Sequence, residues 1–404
     1  MLVPPVVPEG YNAGRNVSVR ERLRPDFDAL GVRVGSFVIL PEVETGVGAT
    51  SNTYLSTTDE VASPFAYLRG VVAMRSNWSR HSLRLSGEGE ARRFIGQSAR
   101  NEDRLKVSAI GQLDATTHLT VQGSVAGDLD FENPFSGEAL PVAAAVSRYR
   151  RITGSLTGRY TAGRVRGTWI VDRTSLSFQP LALRSGNFRD QSDRDRGVSR
   201  ATVQFEYAQT PSLAFMGQIS YSRTGFERPL ASGAPNRDSN GLRILGGVNF
   251  DLAGRVRGTI GVGYTRRNYL APLYPDAQGI SVESRLEFFL TELTTVTVSS
   301  QRVLEDSQIG GDGSYWDSRS TLSVDHELLK NLILSASGQV VKQNYVVSSR
   351  RSESLRVAAS ARYLSSRRIE VNGSLSYGER TLTTNAPSTE IRELRMQVGA
   401  KLKL

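Results

Sequence analysis

From about residue 35 to residue 404 the chain alternates apolar and polar side chains with a period of two. That is the spacing at which successive residues of a strand point to opposite faces. Ala201, Val203, Phe205 and Tyr207 alternate with Arg200, Thr202, Gln204 and Glu206. Ile280, Val282, Leu286, Phe288 and Leu290 alternate with Ser281, Glu283, Arg285 and Glu287. Leu394, Met396, Val398, Ala400, Leu402 and Leu404 alternate with Glu393, Arg395, Gln397, Lys401 and Lys403. No comparable run of i, i+3, i+4, i+7 spacing occurs, so helices should be few. The segments number about eighteen, each of roughly 10 to 15 residues, with centres running from Val43 to Val398. Sixteen is the alternative if one long loop has been split into a hairpin.

The connections alternate in length. Short polar turns fall at Asn77-Trp78-Ser79, Asp114-Ala115-Thr116, Thr161-Ala162-Gly163, Leu252-Ala253-Gly254 and Leu329-Lys330-Asn331. Between them lie longer Pro-, Gly- and Asp-rich loops, for example Phe131 to Val146, Gln179 to Gly197, Glu227 to Asn240 and Glu305 to Tyr315. Short turns on one side and long loops on the other are the pattern of an antiparallel transmembrane β-barrel, all-β in class. A soluble ring of eighteen strands with an apolar inside would be too wide for side chains to fill. Here the second face carries Arg, Glu, Gln, Ser and Thr, which suits a wet lumen, and the apolar face belongs against lipid. A propeller would repeat a motif every 40 to 50 residues or so. The one exact echo, Gly163-Arg164-Val165-Arg166-Gly167-Thr168 against Gly254-Arg255-Val256-Arg257-Gly258-Thr259, is too widely separated for blades.

Composition narrows the function. No apolar stretch is long enough for a membrane helix, and the absence of Cys removes disulfides and thiolate chemistry. The three histidines (His81, His118, His326) have no recognisable nucleophile beside them, so the chain does not read as an enzyme. No cofactor and no metal site are expected. Asp190-Gln191-Ser192-Asp193-Arg194-Asp195 matches no calcium-loop spacing and reads as a solvated outer loop. Gly310-Gly311-Asp312-Gly313 reads as a turn, because no helix follows to make a phosphate cradle. Net charge is +10, with Arg far outnumbering Lys. Nucleic acid is not the implied partner, since bases alternate with acids and no reading motif occurs.

Gly35-Ser36-Phe37 with Pro41, then Ser51-Asn52, then Arg75-Ser76-Asn77-Trp78-Ser79-Arg80-His81 resemble the Gram-negative outer-membrane β-barrel porin type 2 family. The resemblance implies an outer-membrane channel and, because some members are encoded among exopolysaccharide genes, a role in export of an acidic exopolysaccharide. It also implies that the missing secretory signal had been removed from a mature form. Gln397, Gly399, Leu402 and Leu404 resemble the carboxy-terminal signal read by the barrel-assembly machinery, with Leu where Phe is usual.

Within the barrel, residues 35–404, the lumen-lining basic candidates are Arg164, Arg166, Arg255, Arg257, Arg285, Arg356, Arg362, Arg395, Lys106 and Lys401. They offer two compatible readings: a cationic lumen for anionic solutes or polysaccharide, and a wall network paired with neighbouring glutamates such as Glu206, Glu283, Glu287, Glu370 and Glu393. Because Arg on the lipid face costs roughly 2 to 4 kcal/mol at the midplane, the strand arginines are expected to point inward. Trp78, Trp169, Trp316, Tyr160, Tyr207, Tyr221, Tyr264 and Tyr377 read as girdle residues at the lipid headgroups. Phe94 and Tyr345 are the lumen-facing aromatics. Residues 1–34, with Pro4, Pro5, Pro8, Pro25, Arg15, Arg20, Glu21, Arg22 and Arg24, lack alternation and read as an irregular periplasmic leader. A lumen plug, a contact with a periplasmic export partner and a loose tail all remain open for it. Outer-membrane lipid and lipopolysaccharide are the expected surroundings. The functional alternatives are an exporter, a general or anion-preferring diffusion porin, and a plugged structural or adhesion barrel.

Overall fold

The computed structural model describes residues 2–10, 17–139, 143–183, 185–230, 233–307, 312–385 and 388–404. Its sheet is a closed antiparallel barrel of 18 long strands. In chain order they are β1 Phe37–Thr50, β2 Ser63–Ser76, β3 Ser82–Phe94, β4 Glu102–Asp114, β5 Leu119–Phe131 and β6 Arg148–Ala162. Next come β7 Val165–Phe178, β8 Arg196–Thr210, β9 Leu213–Phe226, β10 Ser239–Leu252, β11 Val256–Tyr269 and β12 Ala277–Thr291. The ring is completed by β13 Thr294–Asp306, β14 Ser314–Leu329, β15 Leu332–Tyr345, β16 Arg351–Leu364, β17 Ile369–Thr383 and β18 Thr389–Lys403. Each strand pairs with the next, and β18 returns to β1 in a register running from Glu42↔Lys403 to Thr50↔Arg395. Closure matters because hydrocarbon offers no hydrogen-bond partner to a free sheet edge.

The two faces are inverted relative to a soluble core. On β8, Thr202, Gln204 and Glu206 are buried toward the lumen, while Val203 and Phe205 stand exposed outside at 61% and 53%. The same outward apolar face recurs at Ile219, Ile244, Val262, Met396 and Val398. Short turns join the strands at one rim and long connections at the other, which are taken as periplasmic and extracellular. Tyr160, Trp169 and Tyr207 mark the periplasmic edge of the outer face; Tyr221, Tyr264 and Tyr377 mark the opposite edge, eight residues above the start of their strands. At about 3.3 Å per residue and a tilt near 40°, that is roughly 20 Å of apolar wall.

One expectation is corrected here. The strand arginines do not all point inward. Arg93, Arg150, Arg173, Arg223, Arg266, Arg302, Arg351 and Arg392 alternate in the outward register and are exposed. All lie in the extracellular part of their strands, above the apolar wall. The cost of a lipid-facing Arg falls toward zero near the interface, so only the apolar band forces arginines inward.

The sequence echo has a structural meaning. Gly163 and Gly254 turn with φ of +56° and +68°, which favours glycine. Three residues later Arg166 and Arg257 point into the lumen beside the glutamates directly opposite, Glu206 and Glu287. Arg164 and Arg255, placed on the lumen wall by alternation, instead lie exposed in these periplasmic turns. The turn interrupts the strand period, so parity counted across it gives the wrong face.

The β1/β18 seam is held by residues of the amino-terminal motif. Asn52 is fully buried; its amide donates to the carbonyls of Ser56 and Arg392, and Ser51 Oγ accepts from the Leu394 amide. Tyr67 lays its ring across Gly46 and Gly399 and donates to Glu44 at 2.9 Å. A Cβ on Gly399 would come within 2.1 Å of Tyr67 Oη and 3.0 Å of the Thr45 carbonyl. Gly399→Val should therefore impair closure and lower the yield of the heat-modifiable folded form on gels. Tyr67→Phe, losing one hydrogen bond to a carboxylate (about 1.5–3 kcal/mol), should fold but unfold at lower denaturant. Wild-type yield from Gly399→Val would show that the glycine is not needed for the seam.

Candidate functional site: the lumen and its extracellular constriction

The wall of the lumen is a lattice of ion pairs set by strand register. Arg166 Nε lies 3.0 Å from Glu206, Arg257 Nε 2.8 Å from Glu287, Arg200 Nε 2.9 Å from Asp172 and Arg151 Nε 2.8 Å from Asp128. Cross-strand facing brings each pair together. Among the other candidates, Arg285 pairs with Glu287 and Arg395 with Glu393, each at 2.8 Å. Lys106 reaches Asp130 at 3.7 Å, and Lys401 sits among Glu42, Glu44 and Glu370. Arg356 instead stacks 5.0 Å over Phe135, and Arg362 lines a lumenal cavity with Arg20 and Tyr67. Most of the wall's positive charge is thus compensated locally.

A constriction lies at the extracellular end. The connection between β5 and β6 folds inward over its described residues 132–139 and reaches β15, nine positions from β6 in the eighteen-strand ring and so on the opposite wall. There Gly137 donates to Gln343 at 2.6 Å, Glu138 accepts from Tyr345, and Phe135 packs on Leu55 and Ile391. Arg380 donates to the carbonyls of Pro134 and Ser136 at 3.1 and 2.7 Å, and Arg350 donates to that of Gly137. Between this loop and the wall is a cavity of about 320 Å³ lined by Tyr54, Leu55, Arg100, Arg350, Arg380 and Ile391, among others. Burial holds the Arg100 guanidinium below its ordinary pKa.

Alternation had marked Phe94 and Tyr345 as the inward aromatics. The structure adds Phe65, Tyr67, Tyr149, Phe178, Phe226, Tyr269 and Tyr315, all buried on the lumen side toward the extracellular end. Arginines stack on them: Arg104 3.9 Å over Phe131, Arg194 3.8 Å over Phe178, Arg237 4.5 Å over Phe226. Aromatics sharing the inward register with arginines at strand tips were the available signal. Because loops cover these rings, they form a structural collar and no free stacking track.

The leader is inside the barrel. Leu2 and Val3 pack against the Tyr149–Leu176–Phe178 cluster, and Arg200 donates to the Pro4 carbonyl at 2.9 Å. Glu9 accepts from Arg159 Nε at 3.0 Å, and its carbonyl accepts from Asn249 at 3.0 Å. Near the periplasmic rim, Val19 is fully buried against Ile333 and Leu364, and Arg20 and Arg24 pair with Asp325 and Glu327 at 2.9 and 2.8 Å. The leader then runs to Val32–Val34, which pairs with the start of β1. Arg15 lies outside the described residues.

The remaining motifs are structural. Asp190 accepts from the Ser192 amide and hydroxyl, which holds its carboxyl below the usual range, and Asp195 accepts from the Phe178 amide. No cluster of three metal-ligating side chains occurs among the described residues. Gly310 and Gly311 lie outside them. His81 accepts from the Asp114 amide, His118 meets the Thr161 carbonyl and His326 the Thr294 hydroxyl, all toward the periplasmic rim.

Comparison with known proteins agrees with this geometry. The family model described as "Putative beta-barrel porin 2" matches residues 24–404. OccK1 (OpdK) of Pseudomonas aeruginosa shares the fold with a TM-score of 0.50 at 10% identity, over 91% of this chain and 98% of that one. Pseudomonas aeruginosa OpdK with vanillate gives 0.50 at 11%, over 91% and 99%. A BenF-like porin from Pseudomonas fluorescens Pf-5 gives 0.48 at 12%, over 92% and 100%. No curated protein sequence matches the chain.

The leader's place in the lumen leads to a conductance test. Removing residues 2–10 should raise single-channel conductance severalfold, and Glu9→Gln should raise the frequency of open events by loosening the Arg159 clasp. Identical current traces from wild type and the truncated protein would mean that the segment does not narrow the route.

Proposed function

The chain belongs to the beta-barrel porin 2 family and forms a porin-like channel of the bacterial outer membrane; on that premise we propose that it passes small anionic solutes by diffusion. Porins are channels and not enzymes. The observation that carries the reading is the constriction: loop residues 132–139 reach across the lumen and meet Arg350 and Arg380 there. Arginine near the axis acts where the route is narrow, which matters because screening at about 0.15 M reaches only about 8 Å. A wide lumen with paired walls would discriminate little.

Export of an acidic exopolysaccharide, the role the resemblance implies, would need a continuous route for a chain of sugar rings. Residues 132–139 and 2–9 both lie across that route, so export would require both to move. A periplasmic export partner would meet residues 17–34 at the lower rim. A second reading, a plugged barrel, is favoured by the ion-paired leader within the lumen.

In planar bilayers the protein should carry current with a reversal potential displaced toward the anion value in a potassium chloride gradient, the displacement shrinking as salt rises. Absence of current at every voltage would favour the plug. A cation-selective potential would sink the anion reading. Loss of surface polymer on deletion of the gene, with small-solute uptake intact, would favour export.

The outward arginines complete the proposal. Arg173 and Arg223 flank Ser199 on neighbouring strands, and neither forms an ion pair among the described residues. They face lipopolysaccharide phosphates, whose chelation by guanidinium is favourable. Arg173→Gln with Arg223→Gln should reduce lipopolysaccharide co-purifying with the barrel while leaving conductance unchanged; equal amounts would remove this contact.

A further inference from the structure

We infer that the lumenal face of β6, β7, β8 and β10 is a binding track for an extended peptide, one that residues 2–9 of the chain itself occupy. The inference goes beyond the anion-conduction reading and does not depend on it. Its ground is a donor arrangement that recurs along the wall. Arg151 turns Nε and Nη2 onto Asp128, both at 2.8 Å, and gives Nη1 to the Leu2 carbonyl at 2.9 Å. Arg200 repeats it: Nε and Nη2 meet Asp172 at 2.9 and 3.3 Å, and Nη1 reaches the Pro4 carbonyl at 2.9 Å. Arg166 grips Glu206 and reaches the Glu9 carbonyl at 3.3 Å, which Asn249 also meets at 3.0 Å.

The carboxylates cancel the charge of these arginines and fix the planes of their guanidinium groups. What each turns toward the lumen is an N–H donor with no net charge behind it. A neutral carbonyl satisfies such a donor, whereas an anion would also meet the carboxylate beside it. Spacing then selects a chain of carbonyls over a single solute. Arg151 and Arg159 lie eight residues apart on β6, about 26 Å at roughly 3.3 Å per residue. Leu2 and Glu9, seven residues apart, cover about 22 Å in the polyproline form. The Glu9 side chain supplies the rest of the reach to Arg159 Nε, at 3.0 Å.

The contacts also decide the kind of peptide. Among the described residues, every hydrogen bond between residues 2–9 and the wall is donated by the wall. A residue without a backbone N–H loses nothing in such a track, and proline stiffens the extended form before it binds. Pro4, Pro5 and Pro8 fit that requirement. Side chains are read at the two ends: Leu2 and Val3 pack on Tyr149, Leu176 and Phe178, and Glu9 meets Arg159. The ligand class is therefore a proline-rich extended peptide, apolar at its start, with a carboxylate seven residues further on.

The test is isothermal titration calorimetry on the full chain folded in detergent, which needs no conductance. Two synthetic peptides serve as probes: one with the sequence of residues 2–10, and one with lysine in place of its glutamate. In wild type the tethered copy competes, so either peptide should bind weakly. Arg159→Glu repels the tethered Glu9. It should bind the lysine peptide saturably at one site, about fivefold or more tightly than the glutamate peptide, the scale of an exposed ion pair. Raising salt should erase that preference while binding through the carbonyls persists. Glu9→Gln leaves the wall intact and is the companion variant should Arg159→Glu fold poorly; it should bind the glutamate peptide severalfold more tightly than wild type does. Equal affinities of Arg159→Glu for the two peptides, or no saturable heat from the glutamate peptide with Glu9→Gln, would overturn the track.

Discussion

A backbone crossing hydrocarbon must satisfy every amide and carbonyl within the protein, and the rest of this structure depends on that constraint. It requires the sheet to close, and closure concentrates at one seam, where β18 meets β1. The devices found there are specific. Asn52 bridges two backbone carbonyls, and Gly46 and Gly399 leave room for the Tyr67 ring that reaches Glu44. A side chain at either glycine would push the first and last strands apart, opening the edge that the medium penalises most.

Closure fixes the faces in turn. With lipid outside, the polar half of each strand has nowhere to go but the lumen, so charges that a soluble protein would place in bulk water are enclosed together. Register then decides their fate. An Arg directly opposite a Glu is neutralised, as at Arg166–Glu206 and Arg257–Glu287. An Arg without such a neighbour keeps its field. Selectivity is therefore a property of register mismatches, and these gather at the extracellular end, where loops replace strands.

The period of two made the strands, their number and their faces legible, because within a strand parity is a geometric fact. It failed where parity is interrupted or irrelevant. Arg164 and Arg255 were misplaced because they sit in the tight turns just ahead of the first strand residues, Val165 and Val256, where alternation has not yet begun. Arg173 and Arg223 escape the expectation that strand arginines point inward because the lipid argument holds for the apolar band and ends above it. The buried rings of Phe65, Tyr149, Phe178 and Tyr315 alternate with outward residues like any inward position, so period alone gave no reason to separate a loop-covered collar from a wet wall. The leader offered composition without period; nothing in Pro4, Pro5 and Pro8 announces that Glu9 meets Arg159, which lies 150 residues away.

Two obstacles thus share the lumen, and their attachments differ in kind. The described loop residues 132–139 are held by arginine–carbonyl and glutamine–amide bonds to the wall. Such bonds are lost only by leaving polar groups unpaired, so the loop has little freedom to leave. Residues 2–9 are held in part by the Glu9–Arg159 pair, whose side chains are 33% and 39% exposed. A pair so wet is weak and salt-sensitive. The same lumen therefore contains a fixed filter and a looser obstruction below it. If the route opens, it opens by movement of the leader, with the constriction and its arginines left in place to choose among the solutes that enter.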